Sequence, residues 1–337
     1  MAPIRLGIVG AGFMGQFHAR CAQGLETAEL SAIVDMDAEL GARVAADHGA
    51  RHYADVDAAL GADAADAYIV VLPDRHHREA TVRLLEAGRP VLVEKPMAHQ
   101  LEDARAMAAA ADGGARLMVA QILRFDPRYV EAARTVREGR IGQVLHGSSG
   151  RLTNSELGER MNGGSSVCFY LGVHDVDALQ WISGERITRV YTRGVSKLMP
   201  SRGVQSEDAY FTTCEMTGGM IGQLHFGWTL PAGIPTGIWA RTEIIGSEGM
   251  VDLDVRDHGL RLLTGGAWSL PDGLHWPEVN GRIMGDLYEE QRHFVQALRE
   301  DADFVVPTAD ALRNVAVNDA ILRSVASGQP EEVEQIA

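Results

Sequence analysis

The chain has 337 residues, of which 46% are hydrophobic and 23% are charged, and its formal net charge at pH 7 is −15. This length favours two domains, and the charge argues against nucleic acid or an anionic membrane as a partner, because both need clustered cations. No apolar run is long enough to cross a bilayer and no basic, apolar leader begins the chain, so we expect a cytoplasmic protein. Cys21, Cys168 and Cys214 lack the spacing of a zinc site or a disulfide framework, and no metal is expected.

A glycine-rich turn follows the first predicted strand, Ile4 to Val9. Gly10 permits a tight turn, Gly12 lets the backbone approach a pyrophosphate, and Gly15 lets the next helix pack on the strand. The unpaired N–H groups at the start of that helix then meet the phosphates. An ordinary strand-to-helix turn is the alternative, but the context favours a dinucleotide site. Its residues are Gly10, Ala11, Gly12, Phe13, Met14 and Gly15.

An acidic residue ends the second predicted strand, Leu30 to Val34. Asp35 lies where a carboxylate accepts hydrogen bonds from the adenine ribose. A 2′-phosphate about 4 Å away would be repelled by roughly 4 kcal/mol at an effective dielectric near 20. Asp35 therefore favours NAD over NADP, although Arg43 and Arg51 are near enough in sequence to compensate.

Two neighbouring histidines follow the predicted strand Ala67 to Leu72 and Pro73. His76 and His77 suggest a metal site, but no cysteine or carboxylate at ligand spacing completes one. We expect one imidazole to face the cofactor and the other to face solvent.

A lysine follows the next strand, Pro90 to Val93, within the sequence Glu94, Lys95 and Pro96. Open α/β sheets bind their ligands at the carboxyl ends of strands, so Lys95 places a cation where chemistry is expected. A last strand, Arg116 to Gln121, ends this alternating pattern. The sequence thus predicts a doubly wound parallel domain over residues 1–121 and a second domain over residues 122–337.

The second half contains consecutive strands, which indicate an antiparallel sheet. Helices are predicted over Asp126 to Glu138, Asp286 to Arg299 and Thr308 to Ser327. The predicted strands are Val144 to Leu152, Arg186 to Ser196, Asp208 to Glu215, Met220 to Trp228, Ile238 to Ile245, Met250 to Val255 and Leu260 to Leu263.

One further helix, predicted over Val167 to Ile182, interrupts these strands. Helical spacing places Tyr170, His174 and Asp177 on one face and turns Asp175 away. A histidine flanked by a hydroxyl and a carboxylate is suited to act as a general base. A structural histidine that caps a carbonyl is the alternative.

Together these residues resemble the glucose–fructose oxidoreductase, inositol dehydrogenase and MocA family (Gfo/Idh/MocA), over essentially the whole chain. The motifs are the glycine turn with Asp35, Pro73 with His77, Glu94-Lys95-Pro96, Arg124-Phe125-Asp126-Pro127, Gly172-Val173-His174-Asp175 with Asp177, and Glu243 to Gly249. The resemblance implies a Rossmann domain followed by an α/β domain with a large, mostly antiparallel sheet, whose open face commonly forms dimers or tetramers. It also implies hydride transfer between a nicotinamide and a carbinol carbon of a sugar or cyclitol.

The resemblance also assigns roles to individual residues. Lys95 would bond the reacting oxygen beside the nicotinamide, His174 would be the acid/base, and Asp177 would hold a substrate hydroxyl. Further cofactor residues would be Leu72, Pro73, His77, Glu94 and Lys95. Further candidates for the substrate pocket are Arg124, Arg151, Thr153 and Tyr170.

Two departures from the family pattern affect the expected substrate. Tyr170 stands where inositol dehydrogenases usually have an aspartate, and a phenol supplies no negative charge at neutral pH. It is a catalytic candidate in its own right, and Glu94 or Asp177 would have to supply the missing charge. Leu123 replaces an expected arginine, so a less hydroxylated or glycosidic substrate is favoured over inositol.

Three alternatives remain open from the sequence. A glycosidase that retains NAD, or a sugar ketoreductase, would use the same fold. A non-catalytic sugar sensor that binds NAD is the third. Accumulation of NADH with a simple sugar alcohol distinguishes the dehydrogenase from these.

Overall fold

The computed structural model describes residues 2–336, which contain seventeen strands and eleven α-helices, together with two short 3-10 helices and one π turn. The strands are β1 (Ile4–Val9), β2 (Ala28–Val34), β3 (Arg51–Tyr53), β4 (Ala67–Val70), β5 (Val91–Glu94), β6 (Leu117–Ala120), β7 (Val144–Asn154), β8 (Ile187–Val195), β9 (Ala209–Met216), β10 (Ile221–Leu230), β11 (Trp239–Gly246), β12 (Met250–Asp254), β13 (Leu262–Thr264), β14 (Ala267–Ser269), β15 (Glu278–Val279), β16 (Arg282–Ile283) and β17 (Glu331–Glu332). The helices are α1 (Phe13–Gln23), α2 (Ala38–His48), α3 (Val56–Gly61), α4 (His77–Glu86), α5 (Leu101–Ala111), α6 (Pro127–Arg137), α7 (Ser155–Met161), α8 (Val173–Ser183), α9 (Leu198–Ser201), α10 (Asp286–Glu300) and α11 (Thr308–Ser327).

The chain divides into two compact units. The first unit comprises residues 2–125 and Leu274–Leu312, and the second comprises Asp126–Gly273 and residues 313–336. This division differs from the predicted boundary after residue 121, because Leu274–Leu312 returns to the first unit.

Hydrogen bonds explain why the returning segment belongs to the first unit. Arg116 donates through Nη1 to the carbonyl oxygen of Ala297 over 3.0 Å. Thr308 donates through its hydroxyl to the carbonyl oxygen of Leu117 over 2.9 Å. Both bonds join the returning segment to the sequence around β6, an association that local sequence patterns do not reveal.

The first unit is built on a six-stranded parallel sheet in the order β3-β2-β1-β4-β5-β6. Every residue of β4 and β6 is buried, as expected for strands covered on both faces by helices. Side-chain caps fix the start of two of these helices, since Asp37 accepts from the N–H groups of Glu39 and Leu40, and Asp55 accepts from Ala58. The doubly wound parallel domain predicted from the sequence is confirmed.

The second unit is built on a seven-stranded sheet in the order β12-β11-β7-β10-β9-β8-β17. Only β7 and β10 pair in parallel within it, and its other neighbours are antiparallel. Residues along β9 alternate almost strictly between buried and exposed, so one face of the sheet is covered and the other is open. The predicted large, mostly antiparallel sheet is confirmed.

The structure adds elements that the sequence pattern did not reveal. Helix α7 occupies a stretch that carried no predicted element, and Asn154 caps it by accepting from the N–H of Leu157. The predicted helix over Val167 to Ile182 begins instead with a π turn, Cys168–Gly172, and becomes α-helical only at Val173.

Candidate active site

The glycine turn of the first unit has the steric features of a phosphate-binding turn. Gly10 has φ of 105°, and its N–H donates to the carbonyl oxygen of Val34 over 2.8 Å. A Cβ on Gly15 would lie 1.9 Å from the carbonyl oxygen of Gly10, so no larger residue fits there. A Cβ on Gly12 would meet nothing within 4 Å, which leaves open space beside the backbone. Gly10 and Gly15 are thus required by the chain itself, and the space at Gly12 fits a pyrophosphate.

Asp35 lies directly beside this turn. Its Oδ2 accepts from the N–H of Ala11 over 2.7 Å, and its Oδ1 accepts from the N–H of Asp37 over 2.8 Å. Among the hydrogen bonds and ion pairs found in the described part of the chain, Asp35 makes none with Arg43 or Arg51. The guanidinium of Arg51 lies over the ring of Tyr53, 5.7 Å from its centre.

The exposed side chains next to these residues are apolar. Phe13 is 72% exposed and Met36 is 93% exposed. Neither side chain offers a cation to a phosphate. The turn and Asp35 therefore fit the pyrophosphate and the adenine ribose of a dinucleotide.

The two adjacent histidines have different positions. His77 is buried, with Nε2 2.8 Å from the carbonyl oxygen of Leu72 and Nδ1 2.9 Å from that of Pro96. Burial lowers the pKa of His77, although the two carbonyl contacts oppose this effect. His76 is exposed. The imidazole of His77 thus links the segment after β4 to the segment after β5. In the segment after β4, Pro73 is exposed and Leu72 is half-buried.

Lys95 follows β5 directly, and its surroundings include a residue that the sequence analysis missed. The N–H of Lys95 donates to Oε2 of Glu94 over 3.1 Å. The other oxygen of Glu94, Oε1, lies 2.9 Å from Nε2 of His18, which is completely buried in α1. Nδ1 of His18 in turn lies 2.8 Å from Nε2 of Gln291. The sequence around His18 does not indicate this network, because its partner Gln291 is 273 positions away in the chain.

Helix α8 of the second unit carries the predicted acid/base. His174 is half-buried, and Asp177 is buried with Oδ1 accepting from Nδ2 of Asn314 over 2.8 Å. Tyr170 is half-buried within the π turn, with its ring centre 6.4 Å from that of Trp228. His174 and Asp177 both lie in α8, where α-helical spacing holds, whereas Tyr170 lies in the π turn before it, which has more residues per turn.

Three of the predicted pocket residues are buried with partners inside their own units. Arg151 donates through Nε to Oδ2 of Asp175 over 3.2 Å, and both side chains are at most 2% exposed. Thr153 donates to the carbonyl oxygen of Gly237 over 3.0 Å. Arg124 donates through Nη1 to Oδ2 of Asp310 over 2.9 Å. These contacts give all three side chains internal positions.

The Arg151 pair belongs to a larger buried network. Ser149 donates to Oδ1 of Asp175 over 2.9 Å, and its oxygen lies 2.7 Å from the hydroxyl of Thr242. Burial raises the pKa of Asp175, although Arg151 and Ser149 oppose this effect. Helical spacing predicted that Asp175 points away from His174. Its carboxylate accordingly accepts hydrogen bonds within the buried interior of the second unit.

The fold and site define an oxidoreductase with an NAD-binding Rossmann domain followed by a second domain on a mixed sheet. The family model described as "Oxidoreductase family, NAD-binding Rossmann fold" matches residues 4–121. The model described as "GFO/IDH/MocA C-terminal domain" matches residues 129–252. The chain belongs to the Gfo/Idh/MocA family of oxidoreductases.

Individual relatives are similar over almost the whole length. Inositol 2-dehydrogenase of Rubrobacter xylanophilus is 29% identical over 99% of this chain and 94% of its own. The scyllo-inositol 2-dehydrogenase (NAD(+)) of Bacillus subtilis is 25% identical over 98% of this chain and 96% of its own. The structure of GenD2 from gentamicin A biosynthesis, in complex with NAD, superposes with a TM-score of 0.87 and 26% identity, covering 99% of this chain and 97% of that one. In the described part of this chain, no helix combines the length and apolar character needed to cross a membrane.

Proposed function

We propose that the protein is an NAD-dependent dehydrogenase that oxidises a secondary alcohol of a cyclitol, sugar or glycoside, or reduces the corresponding ketone. The placement of Lys95 carries this proposal. Strands β1 and β5 are parallel and flank β4, so the glycine turn and Lys95 leave the sheet at the same edge, about 10 Å apart. Similarity to inositol dehydrogenases over the full length supports the polyol class.

The bound cofactor would supply the acceptor for the hydride at the reacting carbon. Lys95 would donate a hydrogen bond to the reacting oxygen and stabilise the negative charge that develops there. His174 would take the proton of the alcohol, or return it in the reverse direction. General base catalysis of this kind contributes about 10²- to 10⁴-fold to the rate.

Several predicted residues would serve the substrate indirectly. Asp177, held by Asn314, lies three residues from His174 on α8 and would fix the local structure around a substrate hydroxyl. Tyr170 is half-buried and has a hydroxyl that can donate or accept a hydrogen bond. Replacement of Tyr170 by Phe distinguishes a polar role from simple filling of space, because only a polar role predicts a large loss of turnover.

We propose NAD as the cofactor in preference to NADP. The carboxylate of Asp35 lies beside the glycine turn, and a phosphate on the adjacent ribose would be repelled by it. In the variant Asp35→Ser this repulsion is removed, and the ratio of activity with NADP⁺ to activity with NAD⁺ should rise at least tenfold. An unchanged ratio would contradict the preference assigned to Asp35.

We also propose that a second copy of the chain covers the open face of the β7–β12 sheet, giving a homodimer or homotetramer in the cytoplasm. This face exposes the large side chains of Tyr191, Phe211, Ile221 and Trp239. Aromatic side chains of this kind are enriched at the interfaces between protein chains. Light scattering should give a multiple of 36.4 kDa for the native protein and a smaller species for Phe211→Arg.

A spectrophotometric screen tests the proposal directly. Inositols, sugars, sugar alcohols and glycosides are offered with NAD⁺ and with NADP⁺, and NADH formation is followed. The expected result is NADH release with at least one polyol and a 10²- to 10⁴-fold loss of turnover in His174→Ala, with NAD binding intact. Product formation without net NADH would favour the redox-neutral alternatives, and NAD binding without any turnover would favour a sensor.

A further inference from the structure

We propose that His18 and Gln291 position the carboxylate of Glu94 beside Lys95, and that this anion supplies the charge that Tyr170 does not. The inference rests on the proposed function in one respect, since it takes Lys95 as the residue that binds the reacting oxygen. The four residues of this network, His18, Glu94, Lys95 and Gln291, all belong to the first unit. His18 and Gln291 would act through Glu94 and are positioning residues.

The orientation of the Gln291 amide is fixed by its contact with the backbone. Its Nε2 lies 3.3 Å from the carbonyl oxygen of His18 and 2.8 Å from Nδ1 of the same residue. A carbonyl oxygen can only accept, so the amide nitrogen rather than the amide oxygen must face it. The NH₂ group therefore donates in both directions, and Nδ1 of His18 is an acceptor.

The tautomer of His18 follows from this orientation. Because Nδ1 accepts a hydrogen bond, the neutral ring carries its single proton on Nε2. Nε2 lies 2.9 Å from Oε1 of Glu94, so it donates to that carboxylate. The completely buried imidazole is thus held in the form that binds an anion.

Both oxygens of Glu94 are acceptors in this arrangement. Oε1 accepts from His18, and Oε2 accepts from the N–H of Lys95. Burial opposes ionisation of Glu94, but the hydrogen bond and the electrostatic attraction from His18, followed by the positive charge of Lys95, outweigh it and lower the pKa of Glu94. Glu94 is therefore an anion at neutral pH, and the same attraction favours the ammonium form of its neighbour Lys95.

A neighbouring acid has the opposite character. Glu290 is completely buried, and neither of its carboxylate oxygens makes a hydrogen bond within the described part of the chain. Burial, together with the charges of Glu94 and Asp286, raises the pKa of Glu290 well above its ordinary value. Of the two neighbouring acids, Glu290 therefore favours its protonated form. The negative charge lies on Glu94, whose carboxylate accepts hydrogen bonds from His18 and Lys95.

The lysine content of the chain provides a test that does not depend on turnover. Lys95 and Lys197 are the two lysines in the sequence, and Lys197 is exposed in the second unit. Trace acetylation with acetic anhydride at pH 8, read by mass spectrometry, gives the reactivity of Lys95 relative to Lys197. Acetic anhydride reacts with the neutral amine, so a nearby carboxylate that favours the ammonium form slows the reaction at Lys95.

Removal of the anion or of its supports should raise this ratio. We expect a rise of roughly three- to tenfold in Glu94→Gln, since an adjacent opposite charge favours the charged form of its partner. His18→Leu and Gln291→Met should each raise the ratio at least twofold. Gln291→Met is the safer variant if His18→Leu does not fold, because Oε1 of Gln291 is already buried without a hydrogen bond.

Ser31→Ala is the matched control. The hydroxyl of Ser31 donates to the carbonyl oxygens of Ala64 and Leu6, also in the first unit, and has no contact with Glu94. This variant should lower thermal stability without changing the acetylation ratio. An unchanged ratio in Glu94→Gln would overturn the inference. A change in Glu94→Gln alone, with folded His18 and Gln291 variants equal to the wild type, would overturn the role of His18 and Gln291.

A kinetic measurement separates this inference from the proposed function. With an active polyol, both His18→Leu and Gln291→Met should lower kcat by about tenfold and leave KM for NAD⁺ within twofold, because positioning affects the reacting groups more than cofactor binding. A purely structural role would lower stability and leave kcat of the folded protein unchanged, as in Ser31→Ala. If the wild type oxidises no polyol, the proposed function fails, while the acetylation ratios still decide this inference.

Discussion

Each unit of the protein contains a polar network around a carboxylate. The two networks differ in whether the carboxylate lies next to a side chain that solvent can reach. In the first unit, Glu94 accepts from the buried His18, and the half-buried Lys95 follows it in the chain. In the second unit, Asp175 accepts from Ser149 and Arg151, and all three side chains are buried. The first network holds the carboxylate of Glu94 next to the partly exposed Lys95, whereas every side chain of the second network is buried.

The pKa shifts of the two carboxyl groups reflect this difference. In both cases burial opposes ionisation, but the donors and Lys95 lower the pKa of Glu94, while burial dominates and raises that of Asp175. Perturbed carboxyl groups therefore need not mark function by themselves. Access to an adjacent side chain, rather than burial or pairing, therefore distinguishes the proposed Lys95 site from the buried ion pair of Arg151 and Asp175.

The largest expected effect concerns the accessible lysine of the first network. Lys95→Ala should lower kcat by about 10²- to 10³-fold, because a donor to the developing charge is lost. The assay is NADH formation with the best polyol from the screen. Lys197→Ala removes the other lysine, which is exposed, and should match the wild type. If Lys95→Ala were as active as Lys197→Ala, the first network would have no role in catalysis and the contrast between the two networks would be contradicted.

The second network should matter for folding rather than for catalysis. Arg151→Met leaves the Asp175 carboxylate buried without its cation, and the free energy of unfolding should fall by about 3–5 kcal/mol. Denaturant titration measures this loss, and the exposed Arg137→Met should change stability by no more than about 0.5 kcal/mol. A rise in KM for the polyol without a loss of stability would instead make Arg151 a substrate residue, as the sequence analysis expected.

The smallest expected effect is a difference in the sign of pH dependence. The pKa of Glu94 is lower in the folded state, so its ionisation stabilises the fold above the unfolded pKa of about 4.3, and this stability is lost as pH falls through the folded pKa. The destabilisation caused by Glu94→Gln should therefore be larger at pH 6 than at pH 3.

The raised pKa of Asp175 has the opposite consequence. The folded state binds a proton before the unfolded state does, so the wild type gains stability from this group as pH falls towards the unfolded pKa of about 3.9. Asp175→Asn should lack this gain. Thermal unfolding between pH 3 and pH 7 compares the two variants, and slopes of the same sign would contradict the contrast between the networks.

Much of the fold was predictable because local patterns determine it. The glycine turn, Asp35 and the position of Lys95 after a strand are read from residues close in sequence, and the structure places each of them as the pattern indicated. Alternating polarity likewise predicted the antiparallel strands of the second unit. The periodicity did not predict the π turn that contains Tyr170 at the start of the expected helix.

The two fold types, the dinucleotide turn and the lysine at the end of a strand were predictable, since each depends on contacts within a few residues or on a regular repeat. The position of His18 between Gln291 and Glu94, and the burial of Arg151 and Thr153, depend instead on tertiary contacts. The physical reason is that hydrogen bonds between residues far apart in sequence choose the partner of each buried polar group, and no local pattern encodes that choice. The Lys95 site was visible in the sequence, but the residues proposed to support its charge were not.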